Sequence, residues 1–146
     1  MTDRVQQLLS VIAQDLQDDC TDYQCLHDLM QALHQQLVDR NSQQIDLLIN
    51  QINPLIAQSR QRAERRSKVL SAFGLGAGAQ AMHALLERYP QPQREQLHQV
   101  WDSLGELTVQ CKNQNERNGK LLAMQSELLE KLLDEPGNAH LYKPEY

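Results

Sequence analysis

Aromatic side chains are scarce in this chain: one Trp, one Phe and four Tyr in 146 residues. Sandwiches and barrels depend on aromatic and β-branched residues set between frequent turns, and with six Gly and five Pro such turns are few. A β architecture is thereby disfavoured, and the abundance of Leu, Gln and Ala points to long helices. Positive charge is also short. Fourteen Lys and Arg stand against nineteen Asp and Glu, a net charge of −5 with a pI near 5.5. General affinity for nucleic acid or an anionic membrane surface needs a positive field, so neither partner is expected. No apolar run approaches the roughly 20 residues of a membrane span. The N-terminal MTDRVQQLLSV has Asp3 and Gln6 where a signal peptide would carry basic residues and then an unbroken apolar segment. The expected location is the cytoplasm. Only three cysteines are present. Cys20 and Cys25 lie five apart in a predicted helix, about 140° apart around the axis and about 7.5 Å along it. That is a poor geometry for a disulfide, and reduced thiols are expected.

The length suits one domain, residues 1–146, with its own core. Apolar residues at Val5, Leu8, Ile12, Leu16, Tyr23, Leu26, Met30, Leu33 and Leu37 predict a first helix from Thr2 to about Val38, with a gap near Asp19 and Cys20. Asp39-Arg40-Asn41-Ser42 breaks the seam and offers Ser42 as an N-cap. A second helix carries Ile45, Leu48, Ile49, Ile52, Leu55, Ile56, Ala63, Val69, Leu70 and Phe73 and ends at Gly74. Pro54 within it predicts a kink or a short break. GLGAGA, residues 74–79, reads as a cap and loop. A short helix over Gln80–Arg88 follows, stopped by Tyr89-Pro90-Gln91-Pro92, and Pro92 enters the first turn of a final helix over Gln93–Asp134. The tail from about residue 135, with Pro136, Gly137 and Pro144, reads as irregular. The expected fold is all-α: an antiparallel bundle of three long helices plus one short helix, packed like a coiled coil. Antiparallel pairing would bring the acid-rich first helix (Asp15, Asp18, Asp19, Asp22, Asp28) near the basic end of the second (Arg60, Arg62, Arg65, Arg66, Lys68).

The last helix changes character along its length. On a helical wheel Leu97, Val100, Trp101, Leu104, Leu107 and Cys111 share an arc of about 120°, the width a bundle helix needs. Leu121, Leu122, Met124, Leu128, Leu129, Leu132 and Leu133 spread over about 180°, more than one seam requires. Between the halves stands CKNQNERNGK, with Asn118 in the middle of the apolar arc and Asn115 at its edge. A buried Asn in a helical seam costs stability and is best attested as a device that fixes register. The Leu-rich surplus fits core contacts, self-association or a docking face for another protein, and the wheel does not choose among them.

Other chemistry is thinly represented. GLGAG lacks a preceding strand and a following Gly-Lys-Ser/Thr, so it is not a phosphate loop. Cys20, Cys25 and His27 point apart on a helix, and about 10 Å of rise separates His27 from His34, so no metal site is expected. No local spacing implies a nucleophile and its base; neither an enzymatic activity nor a cofactor is expected. The run SRQRAERRSK, residues 59–68, lacks interleaved aromatics for base stacking. It reads first as a solvated or internally paired face, with docking of an acidic protein and, less favoured, a nucleic-acid patch as the alternatives.

RQRAERRSKVLSAFGL (residues 60–75) and NQNERNGKLL (residues 113–122) resemble the FlgN family of flagellar export chaperones. The residues that carry the likeness are Leu70, Phe73 and Gly74, at the end of an Arg-containing helix, and Asn115, Asn118 and Gly119, which open the C-terminal part of the last helix. The resemblance implies a non-enzymatic protein that binds the C-terminal segments of hook-filament junction proteins, prevents their early assembly and delivers them to the flagellar export gate. Together with the surplus apolar width of the last helix, it implies that Leu121, Leu122, Met124, Leu128, Leu129 and Leu132 form the substrate face. Asn115, Asn118 and Gly119 would act as a register pin, and Tyr142 would contact the gate. A coiled-coil adaptor, acting by permanent helix association or as a homodimer, is the competing reading.

Overall fold

A computed structural model of the chain describes residues 3–133. These form four α-helices, α1 (Asp3–Asp39), α2 (Ser42–Ala72), α3 (Ala79–Leu86) and α4 (Gln93–Leu133), with no strand among the described residues. Among them, no helix is long and apolar enough to cross a membrane. The expected tail from residue 135 lies outside the described residues.

The junctions correct several sequence expectations in detail. The N-cap of α2 is Asn41, whose side chain accepts from the Gln44 amide at 3.2 Å, and Ser42 is the first helical residue. Pro54 does not break α2. It lies on the exposed side, as does Asn50, whose carbonyl loses its helical donor and can turn to water. Pro92 stands one residue ahead of α4, its carbonyl accepting from the Gln96 amide. At the end of α2, Leu75 N–H reaches Leu70 O and Gly74 N–H reaches Ser71 O, both at 3.0 Å, with Gly74 at φ 70°. This is a Schellman cap, and its left-handed position suits a residue without Cβ.

Helix directions follow from side-chain pairs. Arg65 pairs with Asp15, Arg62 and Arg66 with Asp19, and Arg62 also with Asp22, so α2 runs back along α1. Partners of α4 instead rise together with α1: Val100 meets Cys20, Cys111 meets Tyr23, and Gln125 meets Leu37. The third long helix is therefore parallel to the first, which departs from a wholly antiparallel set. The reason lies in α3. Its Ala81, Met82, Leu85 and Leu86, with Tyr89, pack against Leu9, Ile12, Leu16, Val69 and Leu70, and Tyr89 Oη donates to Leu9 O at 2.7 Å. The chain thus starts α4 at the end where α1 starts. α1 lies in the middle, and the Cα atoms of α2 and α4 stay more than 8 Å apart.

Two apolar clusters result. The one just described also takes in Leu97 and Leu104. The other joins Leu26, Met30, Leu33 and Leu37 to Ile45, Ile52, Cys111 and Leu122. The gap in the α1 seam near Asp19 is a charged layer. Asp19 accepts from Arg62 and Arg66, each at 2.9 Å, Arg65 grips Asp15 with two bonds of 2.6 and 2.8 Å, and Asp22 accepts from Arg62. The Arg66 guanidinium also lies 5.4 Å from the centroid of the Trp101 ring. Burial works to lower the Arg62 pKa, but hydrogen bonds and charge from Asp22 and Asp19 outweigh it and raise it. The central arginines of the basic run are thus paired internally.

All three thiols are free. Burial pushes Cys111 up to about 11, and burial followed by the Asp19 charge raises Cys20, whereas Cys25 is exposed. A raised pKa lowers the thiolate fraction at pH 8. Timed alkylation of the native chain at that pH should show one fast thiol, removed by Cys25→Ser, and two slow ones that react promptly only in denaturant.

Candidate functional site

Four side chains of α4, spaced three, four and seven apart, turn to α1. Cys111 Sγ, Gln114 Nε2, Asn118 Nδ2 and Gln125 Nε2 donate to the carbonyls of Tyr23, His27, Met30 and Leu37, residues 88, 87, 88 and 88 positions earlier. So uniform an offset defines a parallel pair in one register. In an ordinary coiled coil these positions would be apolar. The carbonyls of Tyr23, His27 and Met30 already accept from N–H groups of α1 itself, and that of Leu37 from the Arg40 N–H at 3.2 Å, so the amides add second bonds and relieve no orphan. Asn118 is 0% exposed and bonds Met30 O at 3.0 Å. Its Oδ1, Gln114 Oε1 and Asn115 Oδ1 are buried with no hydrogen-bond partner among the described residues, as are Nδ1 of His27 and His34 on α1. The polar stretch therefore forms part of the helix–helix seam itself, and that seam is under-satisfied.

Past Asn118 the apolar residues divide. Leu122 is 5% exposed within the second core cluster, while Leu121 is half-buried against it and Met124 is 64% exposed. Leu121 and Met124 form the shared wall of two shallow grooves. One, of about 480 Å³, is completed by Leu37, Val38, Arg40, Gln125 and Glu127. The other, of about 430 Å³, is completed by Asn113, Glu116, Arg117 and Lys120. The uniform offset sets Asp39, the last residue of α1, opposite Glu127. From there α4 continues to Leu133, about 9 Å beyond the end of α1.

The family model described as FlgN protein matches residues 1–136. The chain belongs to the FlgN family. No curated protein and no solved structure matches it. The FlgN family is a family of flagellar export chaperones. The two stretches that carried the resemblance acquire physical roles here. Leu70, Phe73 and Gly74 build the Schellman cap of α2, and Asn118 is the innermost amide of the α1–α4 seam, flanked by half-buried Asn115 and Gly119.

Of the residues expected to form a FlgN substrate face, Leu121 and Met124 line the grooves. Leu122 does not, because the seam turns it into the core beside Leu33, Leu37, Ile45 and Ile52. The side chains of Leu128, Leu129 and Leu132, and all of Tyr142, lie outside the described residues. Sequence reasoning missed Val38, Arg40 and Gln125 as lining residues. A signal existed for Gln125 alone, which stands seven residues past Asn118 and continues the amide spacing.

The cost of the seam can be measured. Asn118→Leu keeps the γ-branched shape, adds the bulk of two methyl groups and removes the unpartnered Oδ1, while Met30 O keeps its acceptor role within α1. Unfolding in urea should show a gain of about 1 kcal/mol. A loss there, and also in the smaller Asn118→Ala, would mean that the Nδ2–Met30 bond outweighs the unpaired oxygen.

Proposed function

We propose that this chain is a cytoplasmic, non-enzymatic export chaperone that binds the C-terminal segments of hook-filament junction proteins of the flagellum, keeps them from assembling early and delivers them to the export gate. Membership of the FlgN family supports the chaperone role. The observation that carries the binding mode is the end of α4, which outruns α1 and bears two grooves on either side of Leu121 and Met124.

A disordered segment with apolar residues at helical spacing folds as a helix along such a surface. The ordering cost it incurs keeps the complex releasable. Met124 supplies an adaptable contact. Leu128, Leu129 and Leu132, four, five and eight residues past Met124 in the sequence, complete the proposed substrate face, and Arg40, Arg117 and Lys120 offer polar rims. Asn115, Asn118 and Gly119 hold the register of α4 on α1. Tyr142 is assigned the gate contact.

Titration calorimetry of the full chain with C-terminal peptides of junction proteins, against unrelated amphipathic peptides, tests this. Saturable one-to-one binding with a negative heat-capacity change is expected for the former only. Absence of binding, together with a melting temperature that rises with protein concentration, would instead identify a self-associating adaptor.

A further inference from the structure

The geometry points to a Zn²⁺-binding site formed by His83, Glu87 and His98, which clips α3 to α4 and is independent of the chaperone reading. His83 lies in the last turn of α3, Glu87 is its C-cap, and His98 lies in the second turn of α4. Both imidazoles converge on one oxygen. Nε2 of His98 is 3.2 Å and Nε2 of His83 is 3.5 Å from Glu87 Oε1, and the three ligand atoms all lie within 4.8 Å of one another. Zinc bonds of about 2.0–2.1 Å at tetrahedral angles place neighbouring ligand atoms about 3.3–3.4 Å apart. Two edges of the triangle therefore already have nearly the required length. The third closes by rotation of the exposed His83 ring.

The side chains reach solvent, but their backbones are anchored. Leu85 and Leu86, between His83 and Glu87, are fully buried, and Leu97 beside His98 is buried too. Arg94 Nε donates to Tyr89 O at 2.9 Å, and its Nη1 stands 3.8 Å from the other Glu87 oxygen, Oε2. That contact orients the carboxylate from behind and leaves Oε1 to the imidazoles, as an outer-sphere partner does. The two rings are tilted by 49° with centroids 4.9 Å apart, not stacked face to face.

Two imidazoles and one carboxylate select a borderline transition ion over Mg²⁺ or Ca²⁺, which prefer all-oxygen sets. Water completes the tetrahedron. The site joins elements that meet the rest of the bundle at the end opposite the grooves. His98 and Leu121 are separated by about 35 Å along α4, so metal loading and peptide binding can be read separately.

The test uses the full chain without a polyhistidine tag, stripped by a chelator and titrated with Co²⁺ and then Zn²⁺. One ion per chain is expected, with the visible absorption of four-coordinate Co²⁺, displacement by Zn²⁺ and a raised melting temperature. His98→Gln and Glu87→Gln, with circular dichroism confirming helicity, should each weaken binding about tenfold or more, and Cys25→Ser and His34→Gln should leave it unchanged. No Co²⁺ spectrum and no thermal shift at millimolar Zn²⁺ would overturn the proposal. So would binding that survives His98→Gln and disappears with Cys25→Ser.

Discussion

Asp19→Ala should lower the unfolding free energy by about 3–5 kcal/mol. The Asp19 side chain is 2% exposed, and its two partners, Arg62 and Arg66, are only 12% and 16% exposed. Removing the carboxylate leaves two shielded guanidiniums facing one another. Arg62 retains Asp22, but among the described residues Arg66 retains only the Trp101 ring. A comparison isolates the role of burial. Arg65 is 50% exposed, so after Asp15→Ala it can rehydrate, and the loss should be about 1 kcal/mol, in the range of exposed pairs. Urea unfolding of both variants gives the answer. Equal losses would show that shielding of the arginines does not set the cost.

The second large effect separates core from proposed docking face on opposite sides of α4, two residues apart. Leu122→Ala should cost about 2–4 kcal/mol, because its side chain fills the second apolar cluster and a cavity would remain. Met124→Glu should change stability by no more than about 0.5 kcal/mol, since the side chain is 64% exposed. Its effect should fall on the junction-protein peptides, with about tenfold or more lost in affinity, equivalent to roughly 1.4 kcal/mol. Calorimetry on refolded, helical protein reads both. Undiminished peptide affinity in Met124→Glu would remove the ridge from the binding surface while leaving the family assignment intact.

Much of this was legible in the sequence wherever the determinant is local. Apolar steps of three and four located all four helices to within about two residues, and Gly74 marked the end of α2. The ion layer was foreshadowed by the acidic and basic runs because charge has few alternatives inside a bundle. What failed required knowing the neighbour. A wheel drawn for α4 alone cannot distinguish Leu121 from Leu122, since only the direction of α1 decides which is covered. Direction itself depends on α3, eight residues that cross one end of the bundle. His83, Glu87 and His98 likewise converge because a turn folds two helices together, and only the His83–Glu87 spacing is visible on one helix. Asn118 was legible as a buried amide and Gln125 continues its spacing, but the α1 carbonyls that these amides reach were not legible.

The central position of α1 also bears on how the protein is made. Its contacts with α2 are available once Ala72 has been synthesised, whereas those with α4 join residues 80–88 positions apart. At about 5–20 residues per second, the stretch from Ala72 to Leu133 takes roughly 3–12 s to appear. Until residues 111–125 have been made, the flank of α1 from Tyr23 to Leu37 lacks the side chains that cover it in the folded chain. A truncation that ends before Gln114 would keep the part of that flank from His27 to Leu37 permanently uncovered.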